Sequence, residues 1–321
     1  MSSLREALET HQVAIYFAAI AIGAAAALWE PRTVMLEPLI NPALALMLFV
    51  TFLQVPLAEL GRAFTQPSFL GSLLVTNFLV VPVLVAGLLP FLPSDPLIRL
   101  GVLLVLLTPC IDYVVTFAHL GRADARLLLA STPILLIVQM LLLPAYLTVF
   151  MGDDARGLVR MEPFLHAFAW LIAAPLALAA LVQLLAGRSG AASRGAVYLR
   201  FLPVPATALV LFIVIAAVVP QLGLALNGAL RVVPIYVAFA IAAPLLGWIV
   251  ARSFRLEASS ARAVAFSAGT RNSLVVLPLA FAVPNAMPLL PAIIVAQTLV
   301  ELVSELAYIR WLPKLGSAHS P

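Results

Sequence analysis

Charged residues are scarce in this chain. Its 321 residues include 18 Lys and Arg and 14 Asp and Glu, so 10% of them are charged, whereas a soluble domain carries roughly 25%. Hydrophobic residues make up 64% of the chain, and the mean hydropathy is +1.12. These proportions exclude an ordinary soluble domain and predict an all-α membrane protein with several spans. The arginines lie between apolar stretches, where they orient a membrane protein, so we expect the bilayer and no nucleic acid as a partner.

Cysteine is almost absent, with one residue in the whole chain. A single cysteine excludes an internal disulfide and any metal site built from several cysteines. The sequence also lacks a helical His-Glu-x-x-His motif and a glycine-rich phosphate loop, which would signal a metalloprotease or a nucleotide-binding protein. We therefore expect no cofactor, no resident metal and no enzymatic activity.

Long apolar stretches dominate the sequence. A helix that crosses a bilayer needs roughly 20 mostly apolar residues, and ten stretches meet this requirement. Arg and Lys are more frequent in the loops on the side of the N-terminus, which predicts a multi-pass protein of the cell membrane with both termini in the cytoplasm. The predicted helices lie near residues 13–29, 37–58, 69–91, 97–119, 127–150, 163–186, 199–219, 231–251, 261–283 and 288–311.

The predicted spans form two groups of five, in residues 1–150 and 151–321. Pro82 and Gln139 of the first group have counterparts in Pro244 and Gln297 of the second. Because five is an odd number, the second group enters the membrane in the opposite direction. We therefore predict two inverted five-helix repeats with broken, crossing fourth and ninth helices, which is the pattern of secondary transporters.

The stretch from Leu107 to Asp112 interrupts the fourth predicted span. Pro109 has no amide hydrogen and ends one helix, but it suits the first turn of the next. Cys110 and Asp112 would then lie at the positive end of a half-helix, which favours anionic groups such as a thiolate. A simple kink at Pro109, with Cys110 as a small apolar filler, is the structural alternative. Polar groups at membrane depth indicate function, so Cys110 and Asp112 are candidate substrate-binding residues.

A second interruption lies in the ninth predicted span. Gly269 precedes four consecutive polar residues, Thr270 to Ser273, which a helix facing lipid does not carry. Arg271 and Asn272 are therefore candidate substrate-binding residues. Asn272 and Ser273 have a structural alternative, in which they satisfy the backbone around a bend. For Arg271 the alternative is an ion pair with Asp112. That pair either stabilises the structure or acts in gating or substrate binding.

Three polar residues of the tenth predicted span share one helical face. Gln297, Glu301 and Glu305 are spaced four residues apart, so we expect them to face the interior of the protein. Burial favours the neutral form of a carboxyl group, which makes Glu301 a candidate for substrate binding and proton coupling. Hydrogen bonding between helices is the structural alternative, chiefly for Gln297 and Glu305.

With these residues in view, the chain resembles the bile acid/sodium symporter superfamily, and within it the arsenical-resistance efflux permeases. The sequences around Cys110 (Pro-Cys-Ile-Asp) and Glu301 (Thr-Leu-Val-Glu-Leu) are similar to a functional cysteine and a functional glutamate of those permeases. Arg-Ala-Asp124 resembles a short basic-acidic loop, and the stretch around Asn272 resembles the polar crossover of the superfamily. The resemblance extends over nearly the whole chain and implies ten spans with inverted repeats.

The chain departs from the sodium-coupled branch of this superfamily at three positions. Ser267 and Arg271 stand where that branch offers an acid and an amide to sodium, and Tyr113 stands where an asparagine is expected. A nearby arginine opposes a bound cation, so we expect proton coupling in preference to sodium coupling.

The resemblance implies a secondary transporter that exports arsenite or antimonite. In that hypothesis Cys110 binds the metalloid as a thiolate and Glu301 exchanges the coupling proton. A core domain of spans three to five and eight to ten carries both breaks, and a panel domain of spans one, two, six and seven supports it. The alternative is an organic-anion or bile-acid-like symporter in which Arg271 binds the anion. A membrane sensor or scaffold is a third hypothesis, but it does not need irregular backbone at membrane depth.

Overall fold

The structure, a computed structural model, describes residues 2–54, 65–111, 113–152, 162, 165–166, 168–186, 199, 201–281, 283 and 286–316. The regular secondary structure of these residues is helical, and no β-strand occurs among them. Among them, seven helical stretches are long and apolar enough to cross a bilayer. The predicted count of ten spans and the inverted repeat stay predictions. The seven stretches are Thr10–Trp29, Pro31–Gln54, Pro67–Phe91, Ala125–Met151, Pro203–Gln221, Ala225–Ser253 and Leu289–Lys314.

The chain divides into two compact units, each formed by two separate stretches of sequence. Unit 1 consists of Met1–Leu57 and Glu162–Leu226, and unit 2 consists of Ala58–Met161 and Asn227–Pro321. The helices of unit 1 are α1 (Ser2–Trp29), α2 (Ile40–Gln54), α8 (Ala174–Ala186) and α9 (Pro203–Val218). The helices of unit 2 are α3 (Pro67–Val75), α4 (Val81–Leu88), α5 (Pro96–Leu106), α6 (Val114–Leu120), α7 (Ala125–Met151), α10 (Leu222–Ser253, from residue 227), α11 (Ala258–Gly269), α12 (Ser273–Phe281) and α13 (Leu289–Trp311).

Close backbone approach joins α1 to α9 in unit 1. A Cβ atom added to Gly23 would lie 2.9 Å from the carbonyl oxygen of Phe212, which is closer than normal side-chain packing allows. Helix α8 contacts α2 through Gln183, whose amide nitrogen donates a hydrogen bond of 3.2 Å to the Phe52 carbonyl. Small residues and side-chain amides of this kind hold helices together in a membrane, where the lipid is as apolar as the helix surface.

Unit 2 is packed around α11, α12 and α13. Helices α10 and α11 meet at Gly247, where an added Cβ would lie 2.7 Å from the Cβ of Ala268. Helix α13 packs against α5, and Tyr236 of α10 donates a hydrogen bond of 3.2 Å to the Ile293 carbonyl of α13. The side chains of Gln297, Glu301 and Glu305 are all buried. Their predicted position on an interior face is therefore confirmed.

Both predicted helix interruptions are confirmed, and they lie side by side. Helix α5 ends at Leu106 and α6 begins at Val114, while α11 ends at Gly269 and α12 begins at Ser273. Pro109 and Arg271 form an antiparallel bridge. The Cys110 amide donates to the Thr270 carbonyl at 3.0 Å, and the Asn272 amide donates to the Thr108 carbonyl at 2.8 Å. These bonds satisfy backbone groups that the broken helices leave unpaired, as an apolar environment requires.

Candidate functional site

The paired breaks of unit 2 bring together four of the five predicted site residues. Cys110 and Arg271 are fully buried, and Asn272 and Glu301 are each 2% exposed. Asp112 lies outside the described residues, so its predicted pairing with Arg271 stays a prediction. The Cys110 thiol and the Glu301 carboxyl are both near enough to the Arg271 guanidinium to interact with it electrostatically. A thiol, a carboxyl group and a fixed cation therefore share one buried site.

The guanidinium of Arg271 is surrounded by uncharged oxygen atoms. Its Nη2 donates to Asn77 Oδ1 at 2.9 Å, to the Ala268 carbonyl at 2.8 Å and to the Ser267 carbonyl. Its Nη1 donates to the Leu106 carbonyl at 3.4 Å. Three of these four acceptors are carbonyls in the last turns of α11 and α5, where the negative end of the helix dipole stabilises a cation. The fold thus provides a built environment for one positive charge.

One face of the guanidinium lies over an aromatic ring. The guanidinium carbon is 5.5 Å from the centroid of the Phe239 ring on α10, a distance at which the negative face of the ring attracts a cation. The Nε atom has no hydrogen-bond partner among the described residues. Arg271 is therefore fixed on one side and retains one N–H donor for another acceptor.

The carboxyl group of Glu301 accepts hydrogen bonds from residues of both breaks. One carboxylate oxygen accepts from the hydroxyl of Tyr113. The other accepts from the backbone amide of Arg271 at 2.5 Å and from the side-chain amide of Gln297 at 2.6 Å. The Arg271 amide is available because the helix is interrupted there, so the interruption itself anchors the carboxyl group. Three donors directed at one carboxyl group stabilise its ionised form against burial.

A second carboxyl group lies one helical turn from Glu301. Glu305 is fully buried, and its Oε1 accepts from the hydroxyl of Thr270 at the end of α11. Its Oε2 has no partner among the described residues. The two carboxyl groups of α13 thus contact consecutive residues of one break, Glu305 through the Thr270 side chain and Glu301 through the Arg271 backbone.

Several buried polar atoms near the breaks have no hydrogen-bond partner within the described part of the chain. Besides Arg271 Nε and Glu305 Oε2, they include Asn272 Nδ2 and Gln297 Oε1. An unpaired buried polar group costs about 1–3 kcal/mol, so a concentration of them at one place calls for an explanation. Their donors and acceptors suit a polar substrate or water at the site.

Two residues of the site were not among the predicted site residues, although the resemblance placed Tyr113 in the first crossover. Asn77 and Tyr113 provide partners to Arg271 and Glu301, respectively. Asn77 also donates to the Ser267 hydroxyl at 3.0 Å. The signal for Asn77 was present, because Asn77 is the carboxamide in the apolar stretch Pro67–Phe91 and lies where a π-helical turn, Thr76–Val80, interrupts the helix. Such turns are frequent at functional sites.

Within the described ranges, no group of three or more His, Cys, Asp or Glu side chains is placed to hold a metal ion.

Comparison with known families identifies the class of protein. The model of the sodium bile acid symporter family matches residues 41–228, which is more than half of the chain. The chain belongs to this family. The family is one of secondary transporters, so together with the long apolar helices it makes the chain a multi-pass membrane transport protein. No curated protein matches the chain. The matched residues include the first break, with Cys110, whereas the second break and Glu301 lie beyond them.

Proposed function

We propose that the chain is a secondary active transporter that exports arsenite or antimonite in exchange for protons. The observation that carries this proposal is the juxtaposition of the buried Cys110, the buried Glu301 and the paired helix breaks in unit 2. Membership of a secondary-transporter family supports transport as the activity. Breaks of this kind at the middle of a membrane protein are typical of substrate and ion sites in such transporters.

The proposed role of Cys110 follows from the chemistry of trivalent arsenic. At neutral pH arsenite is an uncharged trihydroxide, which a buried site accepts without the cost of burying a net charge. The sulfur of Cys110 replaces one hydroxyl group on the metalloid, and the thiol proton leaves with that hydroxyl as water. Because one sulfur–arsenic bond is formed instead of three, the substrate is released by the reverse reaction with water. A single thiol therefore suits transport better than sequestration.

The proposed role of Glu301 is to carry the coupling proton. Its carboxyl group is buried, is held by three donors and lies near the cation of Arg271. Gain or loss of a proton there changes the charge of the site by one unit. In a buried site that change is costly unless the surroundings adjust, so protonation favours one arrangement of the breaks and deprotonation another. Unit 2 would act as the moving core and unit 1 as the supporting panel in the cell membrane, with both termini in the cytoplasm.

Replacement of Cys110 by serine tests the metalloid step. We expect cells that lack their own arsenite exporters to accumulate less arsenite when they express the wild-type chain. The Cys110→Ser variant should restore accumulation to the level of cells without the chain, because a hydroxyl does not form the sulfur–arsenic bond. Intracellular arsenic and the amount of protein in the membrane are the measurements. Wild-type efflux in the serine variant would remove the thiol from the mechanism.

An organic anion is the second candidate substrate, and Arg271 Nε is the observation that favours it. This N–H donor is buried and has no partner among the described residues, and a carboxylate or sulfonate oxygen is a suitable acceptor. The family to which the chain belongs is named for bile acid transport. If the wild-type chain leaves arsenite levels unchanged but takes up a labelled bile acid, this function replaces metalloid export.

A further inference from the structure

The Nη2 atom of Arg271 lies at the centre of an oxygen cluster. Asn77 Oδ1 lies 2.9 Å from it and the Ala268 carbonyl 2.8 Å, and the Ser267 carbonyl is a third acceptor. The Nη2 group has only two hydrogen atoms, so these three acceptors exceed the number of bonds that it can donate individually. The arrangement is therefore a set of oxygens directed at a positive charge, rather than a set of matched hydrogen bonds.

The same kinds of oxygen bind alkali cations in transporters and channels. Backbone carbonyls replace the hydration shell of a monovalent cation, and the carbonyl ends of half-helices coordinate coupling ions in secondary transporters. Ser267 and Ala268 supply such carbonyls from the last turn of α11, which ends at Gly269. Asn77 supplies an amide oxygen from the π-helical turn after α3. The chain belongs to a family named for sodium symport, but the centre of this cluster holds its own guanidinium.

We propose that Arg271 is a tethered cation that takes the place of a coupling sodium ion. The described residues at this position do not fit sodium together with Arg271, because a second positive charge would lie within the same oxygen cluster. The wild-type chain therefore works without sodium. Removal of the guanidinium exposes a monovalent-cation site formed by Asn77 Oδ1 and the carbonyls of Ser267 and Ala268. This inference rests on the proposed function, because it names the group that replaces the coupling ion in that transport cycle. Its binding test needs no substrate.

Thermal unfolding of the purified protein tests the proposal directly. Sodium, potassium and choline chloride are compared at equal ionic strength. We expect the unfolding temperature of the wild-type protein to be the same in sodium and choline. For Arg271→Ala we expect sodium to raise it by about 3 °C or more, with saturation, since a ligand that binds only the folded state stabilises it. Methylguanidinium should stabilise the same variant by refilling the site.

Two control variants separate this effect from a general loss of positive charge. Arg99→Ala removes a different arginine of unit 2, which is partly buried and whose Nε donates to the Pro93 carbonyl at 3.1 Å, and it should show no response to sodium. The double variant Asn77→Leu/Arg271→Ala lacks one oxygen of the cluster and should lose most of the sodium response. A sodium response equal to that of Arg271→Ala in either control would contradict the proposed site.

The other possible results of the unfolding measurements support or contradict the proposal as follows. Specific stabilisation of the wild-type protein by sodium would overturn the proposal. So would a folded Arg271→Ala variant that responds to neither sodium nor methylguanidinium. If Arg271→Ala is folded only when one of these cations is present during purification, the proposal is supported, and failure of both to restore folding contradicts it. Because arsenite is absent throughout, these results are independent of whether the chain transports arsenite.

Discussion

The Glu301→Gln variant is expected to reach the membrane but to lose transport. Glutamine has nearly the shape of glutamate and keeps one acceptor oxygen, so the helix packing around α13 is preserved. It does not exchange a proton. Its side-chain N–H group also faces groups that donate hydrogen bonds to the carboxyl group of Glu301. A positioned proton-transfer group typically contributes a factor of about 100 or more to a rate. We therefore expect arsenite efflux to fall about 100-fold, as measured by the initial rate of efflux from preloaded cells.

Two further variants show whether this loss is specific to Glu301. Glu257 lies at the start of α11 with an exposed side chain that makes no cap hydrogen bond, so Glu257→Gln should transport at the wild-type rate. Glu301→Leu leaves the buried Arg271 without its nearby carboxyl group. The same change removes the acceptor of three buried donors, those of Tyr113, Gln297 and the Arg271 backbone. Loss of the partner of a buried polar group costs about 1–3 kcal/mol for each group, so this variant should be largely absent from the membrane. Normal efflux by Glu301→Gln would exclude the carboxyl group from proton coupling.

Thr270 and Glu305 are expected to behave unequally when each is replaced. Thr270→Val keeps the shape of the side chain but removes the donor to Glu305, whose carboxyl group then has no partner among the described residues. The cost of such a group is about 1–3 kcal/mol in the free energy of unfolding. Glu305→Leu should cost less or increase stability, because the single hydrogen of the Thr270 hydroxyl is then donated to the Phe266 carbonyl, 2.7 Å away.

A double-mutant cycle tests this asymmetry. Thr270→Val should lower the unfolding temperature in the wild-type background and change it little in the Glu305→Leu background, because the carboxyl group that it strands is gone. Thr148→Val is the control: its hydroxyl bonds to its own helix at Pro144 on an exposed face, so little change is expected. Equal effects of Thr270→Val in both backgrounds would show that the Thr270–Glu305 contact does not stabilise the protein. Loss of efflux in a stable Glu305→Leu variant would indicate a second proton-carrying group.

The two breaks were predictable because each violates a local rule of membrane helices. Pro109 removes a helical donor, and Thr270 to Ser273 place polar side chains where lipid would otherwise lie. The face of α13 was predictable from the four-residue spacing of its polar residues. These signals are local in sequence, so a single chain carries them without any structure.

The partners across the site were not predictable in the same way. Asn77 and Arg271 are 194 positions apart, and Tyr113 and Glu301 are 188 apart. No spacing rule joins residues so distant, and only the packing of α3, α6, α11 and α13 brings them together. The pairing expected for Arg271 was an acid, Asp112, which lies outside the described residues. The partners that the structure describes for the guanidinium are uncharged oxygens, which sequence alone does not distinguish from ordinary helix ends.

Transport by the purified protein in liposomes tests the central claim most directly. The vesicles contain no sodium on either side, arsenite is supplied at equal concentration, and a pH gradient is imposed. We predict a net movement of arsenite in the direction opposite to proton flow, which builds a concentration gradient of arsenite. Adding a sodium gradient should leave the rate unchanged. Absence of arsenite movement under the pH gradient, or movement only when sodium is present, would contradict the account.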